Sequence, residues 1–156
     1  MIQTEDMLPL LVLAPAADRY NTNPATAGVS MRSFRNAVFL INEGAGGTGT
    51  ATVTVEGCSA ANGTGAEAIP FKYRQSTGSG ATLGELTQAA AAGFTTTAGA
   101  NKVIAIEVDS DDLPPNKPYV RLQLTEVAND PVAAGVTCVL LNPRYSLREG
   151  LVSPLA

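Results

Sequence analysis

The sequence predicts an all-β protein, a jelly-roll-like antiparallel β-sandwich with extended N- and C-terminal arms, and three observations carry that prediction. Ala51, Val53 and Val55 alternate with Thr50, Thr52, Thr54 and Glu56, a two-residue period that suits a half-buried strand and spoils a helix. The period returns with Ile104, Ile106 and Val108, and again with Val120, Leu122 and Leu124. Clusters of Gly, Pro, Asn and Asp punctuate the chain between such runs, giving seven or eight short strands in the manner of a sandwich.

Taken in order, the chain divides into an N-terminal arm (residues 1–28), a sandwich domain (29–145) and a C-terminal arm (146–156). The apolar patch from Met7 to Ala17 carries Ala14-Pro15-Ala16, placed like a signal-peptidase site. Glu5 and Asp6 precede it and no Lys or Arg does, the reverse of a signal peptide's basic start, and the patch is too short to span a bilayer. Pro9, Pro15 and Pro24 deny the segment a continuous helix. It reads as an extended arm that lays Leu8, Leu10 and Leu13 on its own sheet or on a neighbouring subunit.

The first clear strand covers Arg35 to Asn42, and apolar residues on both of its faces predict burial on both sides. Gly44, Gly46 and Gly49 then spell G-x-G-x-x-G. A dinucleotide-binding loop needs a helix next, whose N-terminal N–H groups meet the pyrophosphate. A strand follows here instead, so the glycines read as a hairpin connection. Asn62 to Gly65 is a turn whose N-x-T sequon matters only in a secreted eukaryotic chain. Ile69 to Gln75 is a strand with Ile69, Phe71 and Tyr73 on one face and Lys72 and Arg74 on the other; Ser76 to Ala81 is a loop.

Thr82 to Ala92 is the one stretch with helical signals, namely capping-box spacing of Thr82 and Glu85, Leu83 near Leu86, and Gly93 as a stop, and a strand or an irregular crossing suits it equally. Beyond it come a short strand at Phe94 to Thr97 and the strand Lys102 to Asp109. The acidic turn Asp109 to Asp112 and the rigid loop Leu113 to Pro118 lead into the strand Tyr119 to Val127. After the turn Asn129-Asp130-Pro131, a last strand, Gly135 to Leu141, ends at Asn142-Pro143.

Composition narrows the function. The hydrophobic fraction is 45%, only 5% is aromatic and Trp is absent, so Val, Ile, Leu and Ala build the core. Ten basic residues against fourteen acidic ones give a net charge of −4, which repels a phosphate backbone, and no nucleic-acid or membrane partner is expected. Histidine is absent. That removes Ser-His-Asp and Cys-His catalysis, imidazole-bound zinc and the commonest general base near neutral pH. No enzymatic activity, catalytic residue or cofactor is expected. Cys58 and Cys138 lie far apart without C-x-x-C spacing and fit buried free thiols in a reducing cytosol, with a disulfide between them as the other possibility.

Three groups have some ligand character. Glu107, Asp109, Asp111 and Asp112 are hard oxygen donors that suit Ca²⁺, but Leu113 follows where an EF-hand needs glycine in its loop. They read as a solvated strand-end turn whose aspartates accept local N–H bonds. Cys138 is in phase with Val136 and Leu140, as a packed thiol is. Tyr73 and Tyr119 with Arg74 and Arg121 suit a sugar surface or, more simply, half-buried rings with arginines paired to carboxylates.

From about Val38 to Tyr145 the chain resembles small virion proteins encoded in the structural gene blocks of tailed bacteriophages. It looks most like their β-sandwich cement, or decoration, proteins. The resemblance rests on AVFLINEGAGGTGTATVTVE, IPFKYR, AAAAGFTTTAGAN, EVDSDDLPPNKPYVRLQLTEV and NPRY. It implies a chain made in the host bacterial cytoplasm and located on the virion, at the capsid surface. There it would bind the major capsid protein, assemble with itself as a homodimer or homotrimer at a symmetry axis, and bridge capsid subunits with its arms. The residues expected at interfaces are Leu8, Leu10, Leu13, Leu147, Leu151 and Leu155. A carbohydrate-binding adhesion module on the virion is the alternative, and carboxylate-based catalysis a third.

Overall fold

The computed structural model describes residues 7–144 and Leu155. Its strands are β1 (Met7–Ala16), β2 (Val29–Ser30), β3 (Phe34–Gly46), β4 (Thr50–Cys58), β5 (Glu67–Ile69), β6 (Phe71–Gln75), β7 (Thr87–Ala89), β8 (Phe94–Thr95), β9 (Lys102–Asp109), β10 (Tyr119–Ala128) and β11 (Val132–Pro143). They form two antiparallel sheets. One has six strands in the order β1-β11-β3-β9-β6-β7; the other runs β2-β10-β4-β5, with β8 also on β4.

The pairing shows how the chain is wound. β1 pairs with β11, β2 with β10, β3 with β9 and β4 with β8. The first half of the chain therefore lies against the second in reverse order, as if one long ribbon had been rolled up. That is jelly-roll topology. Strands β6 and β7 extend the six-stranded sheet beyond β9.

The period of two does what it predicts. Ala37, Phe39 and Ile41 of β3, Val53 and Val55 of β4, Ile104 and Ile106 of β9, Leu122 and Leu124 of β10, and Cys138 and Leu140 of β11 point between the sheets and are buried. Fully burying each Val, Leu, Ile or Phe contributes about 1.5–3 kcal/mol.

Residues 7–28, expected as an arm, are built into the sandwich. β1 lies along β11 for its whole length, and Ala25 bridges Gln123 while Leu124 N donates to Pro24 O at 2.9 Å. The arm thus takes the first of its two expected places, on its own sheet. The C-terminal arm, with Leu147 and Leu151, lies outside the described residues except for Leu155, which packs against the core.

Two other expectations change, and an open one is decided. The glycine run is a crossing between sheets and not a hairpin, since β3 and β4 belong to different sheets. One of its amides does meet an anion, but an internal one: Thr48 N donates to Asp130 Oδ2 at 2.5 Å. Gly49 is required there, because a Cβ would stand 2.0 Å from Asp130 O. The single strand expected over Ile69 to Gln75 breaks at Pro70, which has no N–H to give a ladder, and the chain passes there from one sheet to the other. Of the readings open for Thr82 to Ala92, the structure takes the strand and irregular crossing and not the helix: residues 81–88 are exposed, β7 occupies Thr87–Ala89, and Gly93 at φ +82 closes a turn in which its N–H donates to Ala90 O at 2.9 Å. Leu83 and Leu86 find no core to pack on, and without a buried face a short helix is marginal.

Candidate interaction surface

The two outer faces of the sandwich differ in chemistry. On the five-stranded sheet, Thr52, Thr54 and Glu56 of β4 stand beside Thr125, Gln123 and Arg121 of β10, a polar surface that water covers at no cost. Arg121 Nε donates to Glu56 Oε2 at 2.7 Å across this pair. On the six-stranded sheet, Val38 and Leu40 point away from the core between buried neighbours. Register places Val38 between Val139 and Glu107, and Leu40 between Thr137 and Ala105. β1 brings Pro9 beside Val139 and Leu11 beside Thr137, and Leu11 is 61% exposed.

The result is an apolar area across β1, β11 and β3, grading into charge at β9 and β6, where Arg74 and Glu107 lie 4.0 Å apart. β3 was expected to be buried on both sides; within one chain it is covered on one. Pro9 and Pro15 lie in β1, which forms an edge of this sheet. Their missing N–H groups blunt that edge as a template for a further strand, so the face, more than the edge, is the surface on offer.

Of the residues expected at interfaces, Leu147 and Leu151 lie outside the described residues. Leu8 and Leu10 face Leu140 and Cys138 by register, and Leu13, beyond a bulge, pairs with Val136; all three pack on the chain's own core. Leu11, which alternation places on the opposite side, is not among those expected interface residues, although its phase against Leu8 and Leu10 is readable in the sequence.

The acidic cluster is a capped turn. Asp109 Oδ1 accepts from Asp111 N and Oδ2 from Asn36 Nδ2, each at 3.0 Å, ahead of the 3-10 turn Ser110–Asp112. Among the described residues no set of three or more carboxylate or thiol groups gathers as metal ligands. Cys58 and Cys138 are free and buried. Burial pushes the Cys138 thiol up to about 12, and burial also raises Cys58, against the lowering effect of Arg121. Both stay protonated and inert near neutral pH.

Tyr73 and Tyr119 stand on different sheets and form no common platform; Tyr73 is stacked on Phe94 with ring centroids 3.7 Å apart.

A buried polar cluster lies at one end of the core. Glu43 and Lys102 are register partners on β3 and β9, and Lys102 Nζ is 3.1 Å from Glu43 Oε2. The contact is ionic, since Oε2 has no aligned hydrogen bond, while Nζ donates to Thr97 O. Tyr20 OH donates to Glu43 Oε1, which ties the chain between β1 and β2 to this end. Sequence phase does carry the signal: Glu43 continues the inward series of Ala37, Phe39 and Ile41, and Lys102 that of Ile104 and Ile106.

No family model matches the chain, and no curated protein matches it. Among solved structures it is similar to the protein YomS derived from the SPBc2 prophage, at 15% identity and a TM-score of 0.49, over 91% of this chain and 98% of that one. A mutant VP2 protein of infectious bursal disease virus, in derived T=1 particles, aligns at 17% identity and a TM-score of 0.19, over 94% of this chain and 43% of that one. Among the described residues no helix is long and apolar enough to cross a membrane.

Proposed function

We propose that this chain is a structural virion protein of a bacteriophage that attaches to the outside of the capsid and stabilises it by bridging major capsid protein subunits. It works by covering surface and not by catalysis. One observation carries the reading: the outer face of the six-stranded sheet presents Leu11, Val38, Leu40 and Val139 together, whereas the opposite face is threonine-rich and wet. Burying such a face yields about 25 cal/mol per Å² of apolar area, and a stable contact needs about 800 Å² on each partner. Self-association as a dimer or trimer at a capsid symmetry axis belongs to the same proposal.

Co-sedimentation with purified shells of the encoding phage tests it. The chain is expected to pellet with shells and to do so poorly as Leu11→Asp; equal pelleting of the two proteins, or none of either, contradicts the proposal.

A further inference from the structure

We propose that a cleft at one end of the sandwich binds an acidic sugar, a saccharide unit carrying a carboxylate. The cleft has a volume of about 440 Å³ and is lined by Arg32, Lys117 and Arg144, within the range of about 300–1,000 Å³ typical of ligand sites. Three of the chain's ten basic residues meet here, in a protein of net charge −4.

The three cations come from separate parts of the chain and are held in different ways. Arg32 follows β2, and its guanidinium lies 5.6 Å from the centre of the Tyr119 ring. Arg144 follows β11; its backbone N–H donates to Ser33 O at 2.8 Å and its Nη2 to Ser110 Oγ at 2.6 Å. Lys117 closes the turn Pro114 to Lys117, in which Asn116 sits at φ +63, a left-handed conformation that asparagine tolerates.

Charge balance points to an anion. Lys117 shares its charge with Glu67 at 2.6 Å, but neither Arg32 nor Arg144 has a carboxylate within an ion-pair distance among the described residues. Of the two carboxylates that flank Ser110 in sequence, Asp109 is occupied by Asn36 and Asp111 N, and neither it nor Asp111 forms an ion pair with Arg144 among the described residues. A guanidinium is a planar fork that matches a carboxylate in bidentate fashion, so two of them converging on one cleft favour that group.

The remaining lining argues for a sugar over an extended acidic peptide. Ser59, Ser110 and Asn116 supply short hydroxyl and amide groups suited to ring hydroxyls, and Met31 and Pro118 supply apolar surface for a ring face. The lining comes from segments that follow or precede strand ends at one end of the sandwich and includes no strand edge, whereas an extended peptide needs a groove or a sheet edge.

The test is a titration of the full ¹⁵N-labelled chain, followed by amide shifts, with glucuronic acid and N-acetylneuraminic acid. Galactose serves as the neutral control, acetate as the charge control and hexaglutamate as the peptide control. The proposal expects saturable shifts at Arg32, Ser59, Asn116 and Lys117 with an acidic sugar and none with galactose. Arg32→Gln is expected to weaken binding about tenfold or more, as for loss of a charged hydrogen bond. Lys117→Gln should weaken it in the same direction, and the unchanged remainder of each spectrum reports the fold. Absence of saturable shifts with either acidic sugar overturns the proposal. So does an equal response to acetate, which marks an adventitious ion only, or a response to hexaglutamate alone, which marks an acidic protein partner.

Discussion

Lys102 Nζ lies 3.1 Å from Glu43 Oε2 across β3 and β9, and both side chains are at most 2% exposed. Neither charge has water to fall back on. Replacing only one partner leaves the other buried and uncompensated, at a cost of about 3–5 kcal/mol. Lys102→Met and Glu43→Gln are each expected to lower the unfolding free energy measured in urea by that amount, and the double variant by less than the sum. Single variants that each lose under about 1 kcal/mol in urea denaturation would show that the pair contributes little.

Gly93 and Gly80 separate two costs that glycines usually combine. Both have positive φ, +82 and +74, but a Cβ at Gly93 would stand 2.1 Å from Val53 O, whereas nothing lies within 4 Å of one at Gly80. Gly80→Ala should cost about 1 kcal/mol, the left-handed penalty alone. Gly93→Ala must also displace β4 backbone and is expected to cost clearly more, about 3 kcal/mol or above by thermal or urea unfolding.

Alkaline pH should destabilise the protein in a defined window. Burial raises the Cys138 thiol from 9.0 to about 12. Burial first, then the Glu43 charge and hydrogen bond, raises the Tyr20 phenol from 10.0. For both groups the folded state holds its proton longer than the unfolded chain does. Stability is therefore flat below about pH 9 and falls as pH climbs from there toward 12, by about 1.4 kcal/mol per pH unit for each group titrating only when unfolded. Cys138→Val, which removes one of them, should make the alkaline limb of a stability-versus-pH curve shallower. An unchanged slope would contradict the assignment.

Leu11 offers the cleanest separation of surface from core. It is 61% exposed while its neighbour Val12 is 6% exposed. Leu11→Asp should leave the unfolding free energy within about 0.5 kcal/mol of the parent, as surface changes do. Val12→Ala removes two buried methyl-sized groups and should cost about 1–3 kcal/mol. A Leu11→Asp protein that unfolds as readily as Val12→Ala would mean that the face is already part of the fold.

Much of the sandwich was legible because burial on one side writes a period of two into Thr50 to Glu56, Lys102 to Asp109 and Tyr119 to Val127. What failed depended on contacts distant in sequence. Nothing local to Gly44–Gly49 says that Asp130 will take the Thr48 N–H, and so nothing local distinguishes a hairpin from a sheet crossing. Local capping signals at Thr82 to Ala92 left helix and strand or crossing equally open, and what decides against the helix is the lack of a tertiary surface for Leu83 and Leu86. At the interaction surface the apolar character of Val38 and Leu40 was visible in the sequence. The role of Leu11 depends on the pleat of β1, which turns Leu8 and Leu10 to the core and Leu11 to the surface, and on the neighbouring strands that supply Val38, Leu40 and Val139 beside it.

Imaging the phage particle with the chain placed in the density tests the central proposal most directly. The account predicts the chain on the outside of the shell with Leu11, Leu40 and Val139 turned onto capsid or sister subunits and the Thr52–Thr54 face toward solvent. A particle that lacks the chain, or one in which the threonine face is buried and the Leu11 face is wet, would contradict it.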